Sequence, residues 1–463
     1  MRKPNILVCG DILLDCNVYT SIQKIANEAP ILVFNENKEE YKLGGCGNVL
    51  HNLHSLGCES LYIFGAVGND VHGERVLQLV HAMNVECHIR MVEHAHTLVK
   101  RRIFCDNKIL FRSDIETDAK HFSQISFAEE IETILQTKPV DCIIFSDYNK
   151  GILYAEQCQT IINLAKQYNV MTCVDPKTEY MKYRGCSIFK PNRSEAYKLF
   201  NLPSTTPLHE VHQTIVSNVQ CAYSVITLSE QGISLFDGKE TIHELPDSVH
   251  KIIDVTGAGD IVCSLLGYFM SLHAPTRSVV RLATQIATKS VECPGTYCTS
   301  MTDVLRVAFH GIKKISFCDI PSIRTIHEGK TIVFTNGCFD ILHSGHITLF
   351  QYCRSKGDVV IVGINSDASV QRLKGPTRPI HPLQIRLDIL SAIQYIDYVV
   401  VFEEDTPTNT IRELQPDILV KGGDYALDKI PGREYAKNTI VCPFVEGMST
   451  SLTVQKIQES IPS

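Results

Sequence analysis

Short apolar runs rich in β-branched residues alternate with longer amphipathic segments along most of this chain, and this alternation limits the folds that it can adopt. The runs at 5–8, 61–64, 142–145, 171–174 and 223–227 are typical of buried strands. Segments 128–135 and 157–166 lie between such runs and repeat apolar residues at helical spacing. The alternation predicts an α/β fold with a mostly parallel sheet flanked by helices.

The pattern begins again near residue 330. Four further apolar runs, at 331–334, 358–362, 398–402 and 418–420, are separated by helical stretches such as 384–392. The chain has 463 residues, which is enough for two or three domains. We therefore predict one domain over 1–312, a linker over 313–329 that contains Pro321 and Gly329, and a second α/β domain over 330–463.

Charge and composition exclude some classes of partner. Lys and Arg number 44 against 51 Asp and Glu, so the net charge is −7 and no overall positive field is available to hold nucleic acid or an anionic membrane. No apolar run reaches the ~18 residues of a spanning helix. The 18 cysteines include no C-x-x-C pair. These features predict a soluble cytoplasmic protein that binds neither nucleic acid nor membrane.

The segment DVTGAGD, residues 254–260, precedes a helical pattern and carries the strongest local signal for chemistry. Glycines before a helix let backbone N–H groups converge on an anion. We predict that Gly257, Ala258 and Gly259 form an anion hole and that Asp260 is the base of a phosphoryl transfer. The alternative is an ordinary glycine turn with Asp260 capping the helix. Val262 breaks the dinucleotide-binding pattern.

Other segments favour the chemical interpretation. GGCGN contains Gly45 in a flexible turn and Asn48, whose amide can bind sugar hydroxyls. Asp11 and Asp15 follow the first predicted strand, where open α/β sheets bind their ligands. KPNRSE, residues 190–195, follows another strand and offers Asn192 and Glu195 as oxygen ligands near Mg²⁺.

GGCGN, KPNRSE and DVTGAGD together resemble the signatures of the ribokinase/PfkB family of sugar kinases, over about residues 1–312. The resemblance implies a ribokinase-like fold with Asp260 as catalytic base. It also implies an indirect role for Asn192 and Glu195 in Mg²⁺ binding. Sugar contacts are expected from Asp11, Asp15, Gly45 and Asn48. The ATP-binding residues that it implies are Asn192, Arg193, Ser194, Glu195, Thr227, Ser229 and Gly232.

Basic residues on predicted loops could neutralise a substrate phosphate. Lys150 lies in SDYNKG and Lys177 in DPK, each after a predicted strand. A solvated surface lysine is the alternative, and it is the stronger alternative for Lys177. Arg101 and Arg102 form a basic pair that could reach the same phosphate, but we favour their interpretation as a charged edge.

The segment TNGCFDILHSGH, residues 335–346, directly follows a strand in the second half. His343 and His346 can face one side where a helix begins and donate hydrogen bonds to charge on an α-phosphoryl group. The alternatives are a metal-binding pair or a helix cap, and zinc is disfavoured because no third ligand has recognisable spacing. Asp367, Lys374 and Asp424 are candidate ligand contacts on later loops.

The H-x-G-H motif and the segment containing Ser449 and Thr450 resemble the cytidylyltransferase-like nucleotidyltransferases, over about 330–463. The resemblance implies a Rossmann-like domain in which His343 and His346 stabilise the transition state without a covalent intermediate. It places ATP near Thr335, Asn336, Lys374, Ser449 and Thr450. Substrate is expected near Asp367 and Asp424.

The order of the two halves resembles the bifunctional heptose 7-phosphate kinase/heptose 1-phosphate adenylyltransferases of Gram-negative bacteria. That family implies 1-phosphorylation of D-glycero-β-D-manno-heptose 7-phosphate, removal of the 7-phosphate by a separate phosphatase, and adenylyl transfer to form ADP-heptose for lipopolysaccharide. It also implies ATP and Mg²⁺ in both sites and a homodimer through the kinase half. Two alternatives remain open: a fused sugar kinase/cytidylyltransferase for another polyol phosphate, and a non-enzymatic sensor.

Overall fold

The structure is a computed structural model that describes residues 2–105, 108–246, 252–293, 295–423 and 426–443. The chain divides into two compact units, Met1–Val307 and Ala308–Ser463. The sequence analysis places this boundary at residue 312. Among the described residues, no helix combines the length and the apolar character needed to cross a bilayer.

The first unit contains a nine-stranded sheet in the order β13-β12-β11-β10-β9-β8-β1-β4-β5. Its strands are parallel except for the antiparallel pairs β11–β12 and β12–β13. All five runs predicted to be strands in this half are confirmed. The strands are β1 (Asn5–Gly10), β4 (Ser60–Gly68), β5 (Glu86–Val92), β8 (Cys142–Ser146), β9 (Met171–Asp175), β10 (Ile188–Phe189), β11 (Tyr223–Thr227), β12 (Ile233–Phe236) and β13 (Thr241–Glu244).

Helices cover both faces of this sheet, which explains why its central strands are continuous apolar runs. Ile6 and Val8 of β1 belong to one core cluster, whereas Leu7 and Cys9 belong to another, because successive strand residues point to opposite faces. The helices of the unit are α1 (Cys46–Leu56), α2 (Val71–His81), α3 (Ala128–Thr137), α4 (Ala155–Gln167), α5 (Arg193–Leu199), α6 (Leu208–Val219), α7 (Ala258–Met270), α8 (Thr276–Val291) and α9 (Met301–Ala308).

A second sheet of four strands was not predicted. Its order is β3-β2-β6-β7, with strands β2 (Ile12–Ile25), β3 (Leu32–Gly45), β6 (Leu98–Cys105) and β7 (Lys108–Ile115). The chain leaves β1 through Asp11 to enter β2, and it returns from β3 at Gly45 into α1. The backbone N–H of Cys46 donates to the Asp11 carbonyl at 3.0 Å. This sheet is therefore anchored at the carboxyl end of β1, where parallel sheets bind their ligands.

The second unit contains a six-stranded parallel sheet in the order β14-β17-β16-β15-β18-β19. The four predicted strands of this half are confirmed. The strands are β14 (Lys314–Ile315), β15 (Ile332–Gly337), β16 (Val359–Asn365), β17 (Tyr398–Phe402), β18 (Ile418–Gly422) and β19 (Asn438–Cys442), and the helices are α10 (Ile320–Ile326), α11 (Ser344–Lys356), α12 (Asp367–Lys374), α13 (Leu383–Ser391) and α14 (Thr408–Leu414).

The interpretation of 313–329 as a linker is wrong. β14 in this segment pairs with β17, and Ile320, Ile323 and Ile326 of α10 are buried. Pro321 does not interrupt the chain because it lies in the first turn of α10, where its missing N–H has no helical partner. The segment is therefore part of the second unit.

Candidate active sites

The predicted anion hole is a tight turn at the start of α7. Gly257 precedes the helix with φ of 82°, in the left-handed region that favours glycine. A Cβ atom at residue 257 would lie 2.8 Å from Asn48 Nδ2. Both the backbone conformation and the contact therefore require glycine. The first N–H groups of α7 have no carbonyl partner within the helix, which suits an anion.

Asp260 in the first turn of α7 is 4% exposed and is held by side chains from two other segments. Asn48 Nδ2 donates to Asp260 Oδ2 at 2.7 Å, and Tyr148 Oη donates to Asp260 Oδ1 at 3.0 Å. Burial raises the pKa of Asp260, and the hydrogen bonds from Asn48 and Tyr148 oppose this rise. The carboxylate is oriented by tertiary contacts, so the simple helix-cap alternative does not account for it.

The loop after β8 positions Tyr148 and depends on Asp11. The backbone N–H groups of Tyr148, Lys150 and Ile152 donate to the Asp11 carboxylate at 2.8, 3.0 and 3.3 Å. Asp11 is 1% exposed, and burial raises its pKa to about 6. The Asp11 carboxylate thus organises the loop after β8, and its expected substrate contact stays a prediction. The sequence analysis did not predict a site role for Tyr148. Its position directly after a predicted strand could have indicated one, because parallel sheets bind ligands at the carboxyl ends of their strands.

Gly45 and Asn48 lie beside this base. Gly45 precedes α1 with φ of 58°, and a Cβ atom there would lie 2.6 Å from the Asp11 carbonyl oxygen. This close approach requires glycine. Asn48, expected at the sugar, donates to the Asp260 carboxylate, and a sugar contact by Gly45 or Asn48 stays a prediction.

A buried ion pair lies near the glycine turn. Lys190 is 2% exposed, and its Nζ lies 2.9 Å from Asp175 Oδ2. Burial alone would lower the pKa of Lys190, but the Asp175 carboxylate outweighs burial and raises it. A Cβ atom at Gly259 would lie 3.6 Å from Lys190 Nζ. The sequence analysis missed this cation, although KPNRSE begins with it.

A cavity of about 1210 Å³ adjoins the turn and gathers most of the ATP-binding residues predicted for the first unit. This volume is sufficient for a nucleotide. Its apolar wall includes Ile252, Val255 and Val291. The predicted residues that line it are Asn192, Arg193, Ser194, Thr227, Ser229, Gly232, Ala258 and Gly259.

Asn192 and Glu195 begin α5 with a reciprocal capping box. Glu195 N–H donates to Asn192 Oδ1 at 2.9 Å, and Asn192 N–H donates to Glu195 Oε2 at 3.0 Å. Lys177 Nζ also donates to Glu195 Oε1 at 2.8 Å. These contacts leave lone pairs that fit a hydrated Mg²⁺ held mainly by ATP phosphates. An indirect metal role fits this donor set better than direct ligation.

The two lysines expected to neutralise a substrate phosphate are already paired. Lys177 pairs with Glu195, and Lys150 Nζ donates to Glu116 Oε1 at 2.6 Å. The interpretation of Arg102 as part of a charged edge is wrong, because Arg102 forms an ion pair at 2.6 Å with Asp15, the expected sugar ligand.

In the second unit, His343 and His346 lie together where β15 leads into α11. Their ring centroids are 3.9 Å apart, and the His346 ring packs edge-to-face against Phe339 at 5.2 Å. Burial lowers the pKa of His346 to about 4, with a contribution from His343, and burial also lowers the pKa of His343. These lowered pKa values favour the neutral imidazoles near pH 7, and a neutral imidazole can donate a hydrogen bond without carrying charge.

A weak contact indicates the tautomer of His346. The backbone N–H of His343 donates to His346 Nδ1 at 3.4 Å. With Nδ1 as acceptor, the proton of the neutral ring is assigned to Nε2, which can donate to a phosphoryl oxygen. The helix-cap alternative is therefore partly right, because His346 accepts a hydrogen bond from the backbone N–H of His343 at the start of α11.

Cations surround the loop that joins β15 to α11. Lys421 Nζ donates to Asn336 Oδ1 at 3.0 Å, and burial lowers the pKa of Lys421. Lys374 is exposed at the end of α12. Burial raises the pKa of the Cys338 thiol, and the positive charges of Lys374 and Lys421 oppose this rise. Thr335 is fully buried, and within the described part of the chain its hydroxyl has no hydrogen-bond partner. A contact between Thr335 and ATP stays a prediction.

Asp367 is held by side-chain and backbone hydrogen bonds, and its predicted substrate contact stays a prediction. Asp367 Oδ1 accepts from Arg386 Nη2 at 2.6 Å, and Oδ2 accepts from the Leu383 N–H at 3.1 Å. Arg386 also donates to the carbonyls of Cys338 and Asn365. This buried guanidinium connects α13 to the histidine loop. The predicted residues Asp424, Ser449 and Thr450 lie outside the described residues.

Comparisons with known proteins match a different family to each half of the chain. The profile of the pfkB family carbohydrate kinases matches residues 3–303, and that of the cytidylyltransferase-like family matches residues 334–455. The first unit resembles Arabidopsis thaliana ribokinase complexed with ribose and ATP (TM-score 0.53, 18% identity) and Escherichia coli phosphofructokinase-2 with fructose-6-phosphate (TM-score 0.52, 21% identity). Each likeness covers 66% of this chain and 99% of the other, and it shows the fold.

Similarity also extends along the whole chain. The bifunctional protein HldE of Wolinella succinogenes is 37% identical over 99% of this chain and 98% of its own length. HldE of Helicobacter hepaticus is 35% identical over the same shares. The fold and the two sites therefore define an enzyme that joins a carbohydrate kinase to a nucleotidyltransferase. The chain belongs to the family of bifunctional HldE proteins.

Proposed function

We propose that the enzyme catalyses two ATP-dependent steps in the formation of ADP-heptose. The first unit phosphorylates O1 of D-glycero-β-D-manno-heptose 7-phosphate to give the 1,7-bisphosphate. The second unit transfers AMP from ATP to D-glycero-β-D-manno-heptose 1-phosphate and releases pyrophosphate. The ADP-heptose formed is a precursor of the lipopolysaccharide inner core.

The observation that carries the first step is the position of Asp260 between a donor pair and the glycine turn. Asn48 and Tyr148 orient the carboxylate, and the turn adjoins the large cavity lined by the ATP motif. Asp260 accepts the proton of the anomeric hydroxyl as O1 bonds to the γ-phosphorus and ADP leaves. The N–H groups at 257–259 and the nearby Lys190 ammonium stabilise the charge on the transferring group.

The second step needs no base, because its nucleophile is a phosphate oxygen that is already anionic. The neutral rings of His343 and His346 donate hydrogen bonds to the α-phosphoryl oxygens. Lys374 and Lys421 offset the charge of the triphosphate. A new bond forms between the sugar phosphate oxygen and the α-phosphorus as pyrophosphate departs.

Mg²⁺ accompanies ATP in both steps and offsets polyphosphate charge when bound. In the first unit, Asn192 and Glu195 are the residues that would contact its hydration shell. Their capping box fixes the orientation of both side chains. The predicted ATP contacts of Ser449 and Thr450, and the substrate contact of Asp424, belong to the same proposal.

Full-length similarity to HldE proteins favours this function over a kinase/cytidylyltransferase for another polyol phosphate. It also disfavours a non-enzymatic sensor, which would need no base. A homodimer is part of the proposal. Support comes from exposed apolar residues of the four-stranded sheet, Ile22, Ile25, Leu32, Ile109, Leu110 and Phe111. The cytoplasmic location remains a prediction.

Mass spectrometry of the products tests the proposal. The enzyme is incubated with heptose 7-phosphate, ATP and Mg²⁺, with and without a phosphatase specific for the 7-phosphate. We expect the 1,7-bisphosphate alone without phosphatase, and ADP-heptose with it. Faster product formation with CTP than with ATP in the second step would favour the cytidylyltransferase alternative, and absence of the bisphosphate would refute the kinase assignment.

A further inference from the structure

One face of the four-stranded sheet carries a row of cations. Asp15 of β2 pairs in register with Lys42 of β3 on one side and with Lys100 of β6 on the other. Two residues further along β2, Asn17 pairs with Arg102. Side chains at i and i+2 of a strand point to the same face. Lys42, Lys100 and Arg102 therefore share the face that bears Asp15 and Asn17.

This face is turned toward the catalytic base. Lys100 Nζ lies 5.3 Å from the centroid of the Tyr148 ring, and the hydroxyl of that ring donates to Asp260 at 3.0 Å. Lys42 Nζ donates to the Thr296 carbonyl at 3.4 Å. The Thr296 methyl lies 3.1 Å from the Cβ position of Gly257 in the anion turn. A sugar with its O1 at Asp260 would extend beneath this row.

The positive charge of the row is only partly neutralised. Arg102 pairs with Asp15, but within the described residues neither Lys42 nor Lys100 forms an ion pair. Burial lowers the pKa of Lys100, because the nearby carboxylates do not fully compensate its loss of water. The remaining charged groups near this face pair with each other: Arg112 with Asp114, Lys38 with Glu40, and Lys150 with Glu116.

An unused acceptor lies in the same row. Asn17 is 8% exposed, and in the described part of the chain its Oδ1 has no hydrogen-bond partner. A buried amide oxygen without a partner is costly, and a ligand hydroxyl would satisfy it. Two uncompensated ammonium groups and a free acceptor together match a ligand that carries both phosphate and hydroxyl groups.

We propose that Lys42 and Lys100 form the subsite that holds the phosphate already present on the sugar substrate. The inference rests on the proposed function and specifies how the kinase site selects a sugar phosphate over a free sugar. A phosphate monoester carries nearly two negative charges near pH 7, which matches the two unpaired ammonium groups. Lys150 and Lys177 are less suited, since each is paired with a carboxylate.

The subsite makes a specific kinetic prediction. Removing one ammonium weakens binding of the phosphorylated sugar, in the ground state and the transition state alike, so KM rises while kcat changes little. Loss of one charge-assisted hydrogen bond corresponds to an increase in KM of about tenfold or more. KM for ATP is unaffected, because the nucleotide cavity is lined by other residues.

The experiment measures KM and kcat for Lys42→Gln, Lys100→Gln and their double variant, with heptose 7-phosphate and with the unphosphorylated heptose. Arg101→Gln is the matched control. Arg101 neighbours both Lys100 and Arg102 in β6, but it lies on the opposite face and pairs with Glu36 and Glu39. We expect higher KM for the phosphorylated sugar only in the two Lys variants and their combination, with the control unchanged.

Equal KM increases for both sugars, or no increase, would overturn the subsite. A wild-type enzyme that phosphorylates another sugar phosphate but not heptose 7-phosphate would refute the proposed substrate, and the same comparison with that sugar pair would still test the subsite. A wild-type enzyme that accepts only unphosphorylated sugars would overturn both. Thermal unfolding of each variant checks that the first unit remains folded.

Discussion

The two units differ in the side chains at their candidate active sites. In the first, a buried carboxylate, Asp260, has a raised pKa and is held by Asn48 and Tyr148. In the second, two imidazoles with lowered pKa values stack at a helix start. A neutral hydroxyl nucleophile needs a base, whereas an anionic phosphate needs only donors and cations. The nucleophile therefore explains which residue type each site uses.

The sites also differ in how they are assembled. Asp260 depends on α1 and on the loop after β8, which are distant in sequence. His343 and His346 come from one short segment and contact each other directly. Changes far from the motif should therefore disturb the first site more than the second.

The largest expected effect is that of Asp260→Asn. Loss of the general base should reduce 1-phosphorylation by about 10²–10⁴-fold, while adenylyl transfer stays within twofold, about the error of such comparisons. Coupled assays for ADP and for pyrophosphate release measure the two reactions on the same sample. Loss of both activities in a folded protein would show that the sites are not independent.

His346→Ala should do the reverse. Removing a donor to the α-phosphoryl oxygens is expected to lower adenylyl transfer by about 10²–10³-fold and leave the kinase reaction intact. Pyrophosphate release with heptose 1-phosphate and ATP is the measurement. His310→Ala, which removes an exposed imidazole of the same unit, serves as control. An unimpaired His346→Ala enzyme would contradict the assigned role.

Tyr148→Phe tests the tertiary support of the base. Loss of one hydrogen bond to the carboxylate should reduce kinase kcat by about tenfold. It should also move the acid limb of the pH–rate profile to higher pH, because this hydrogen bond lowers the pKa of Asp260. A reduced rate with an unchanged acid limb would indicate a purely structural effect.

The smallest effect is a difference in pH dependence between the wild-type reactions. The raised pKa of Asp260 means that its base form is lost at a higher pH than for an ordinary carboxyl group. His346, with a pKa of about 4, stays neutral well below pH 6. The ratio of kinase to adenylyl transfer rates should therefore fall as the pH is lowered through the acid limb of the kinase reaction. A rising ratio would contradict these protonation states.

The features that could be predicted from the sequence are those that lie within one contiguous segment. Apolar runs located the central strands, and the motifs containing Asp260, His343 and His346 located both sites. The four-stranded sheet was missed because most residues of β3 and β7 are exposed, so these strands lack the pattern of a buried core strand. The prediction of a linker over 313–329 was wrong because Pro321 was interpreted as a break in secondary structure, whereas it lies in the first turn of α10.

Contacts between distant segments could not be predicted in the same way. Tyr148 reaches Asp260 over 112 positions, and Arg102 reaches Asp15 over 87. The sequence offers no local pattern for such pairs. For the same reason, the sequence did not indicate that backbone N–H groups bind the Asp11 carboxylate or that Arg386 pairs with Asp367.

Complementation between two inactive variants tests the independence of the sites most directly. Asp260→Asn and His346→Ala proteins are each incubated with heptose 7-phosphate, ATP, Mg²⁺ and the phosphatase, alone and mixed, and ADP-heptose is measured by mass spectrometry. Two independent sites predict almost no product from either variant alone and restored formation in the mixture. Failure of the mixture to form ADP-heptose, with both proteins folded and each retaining its other activity, would contradict that independence.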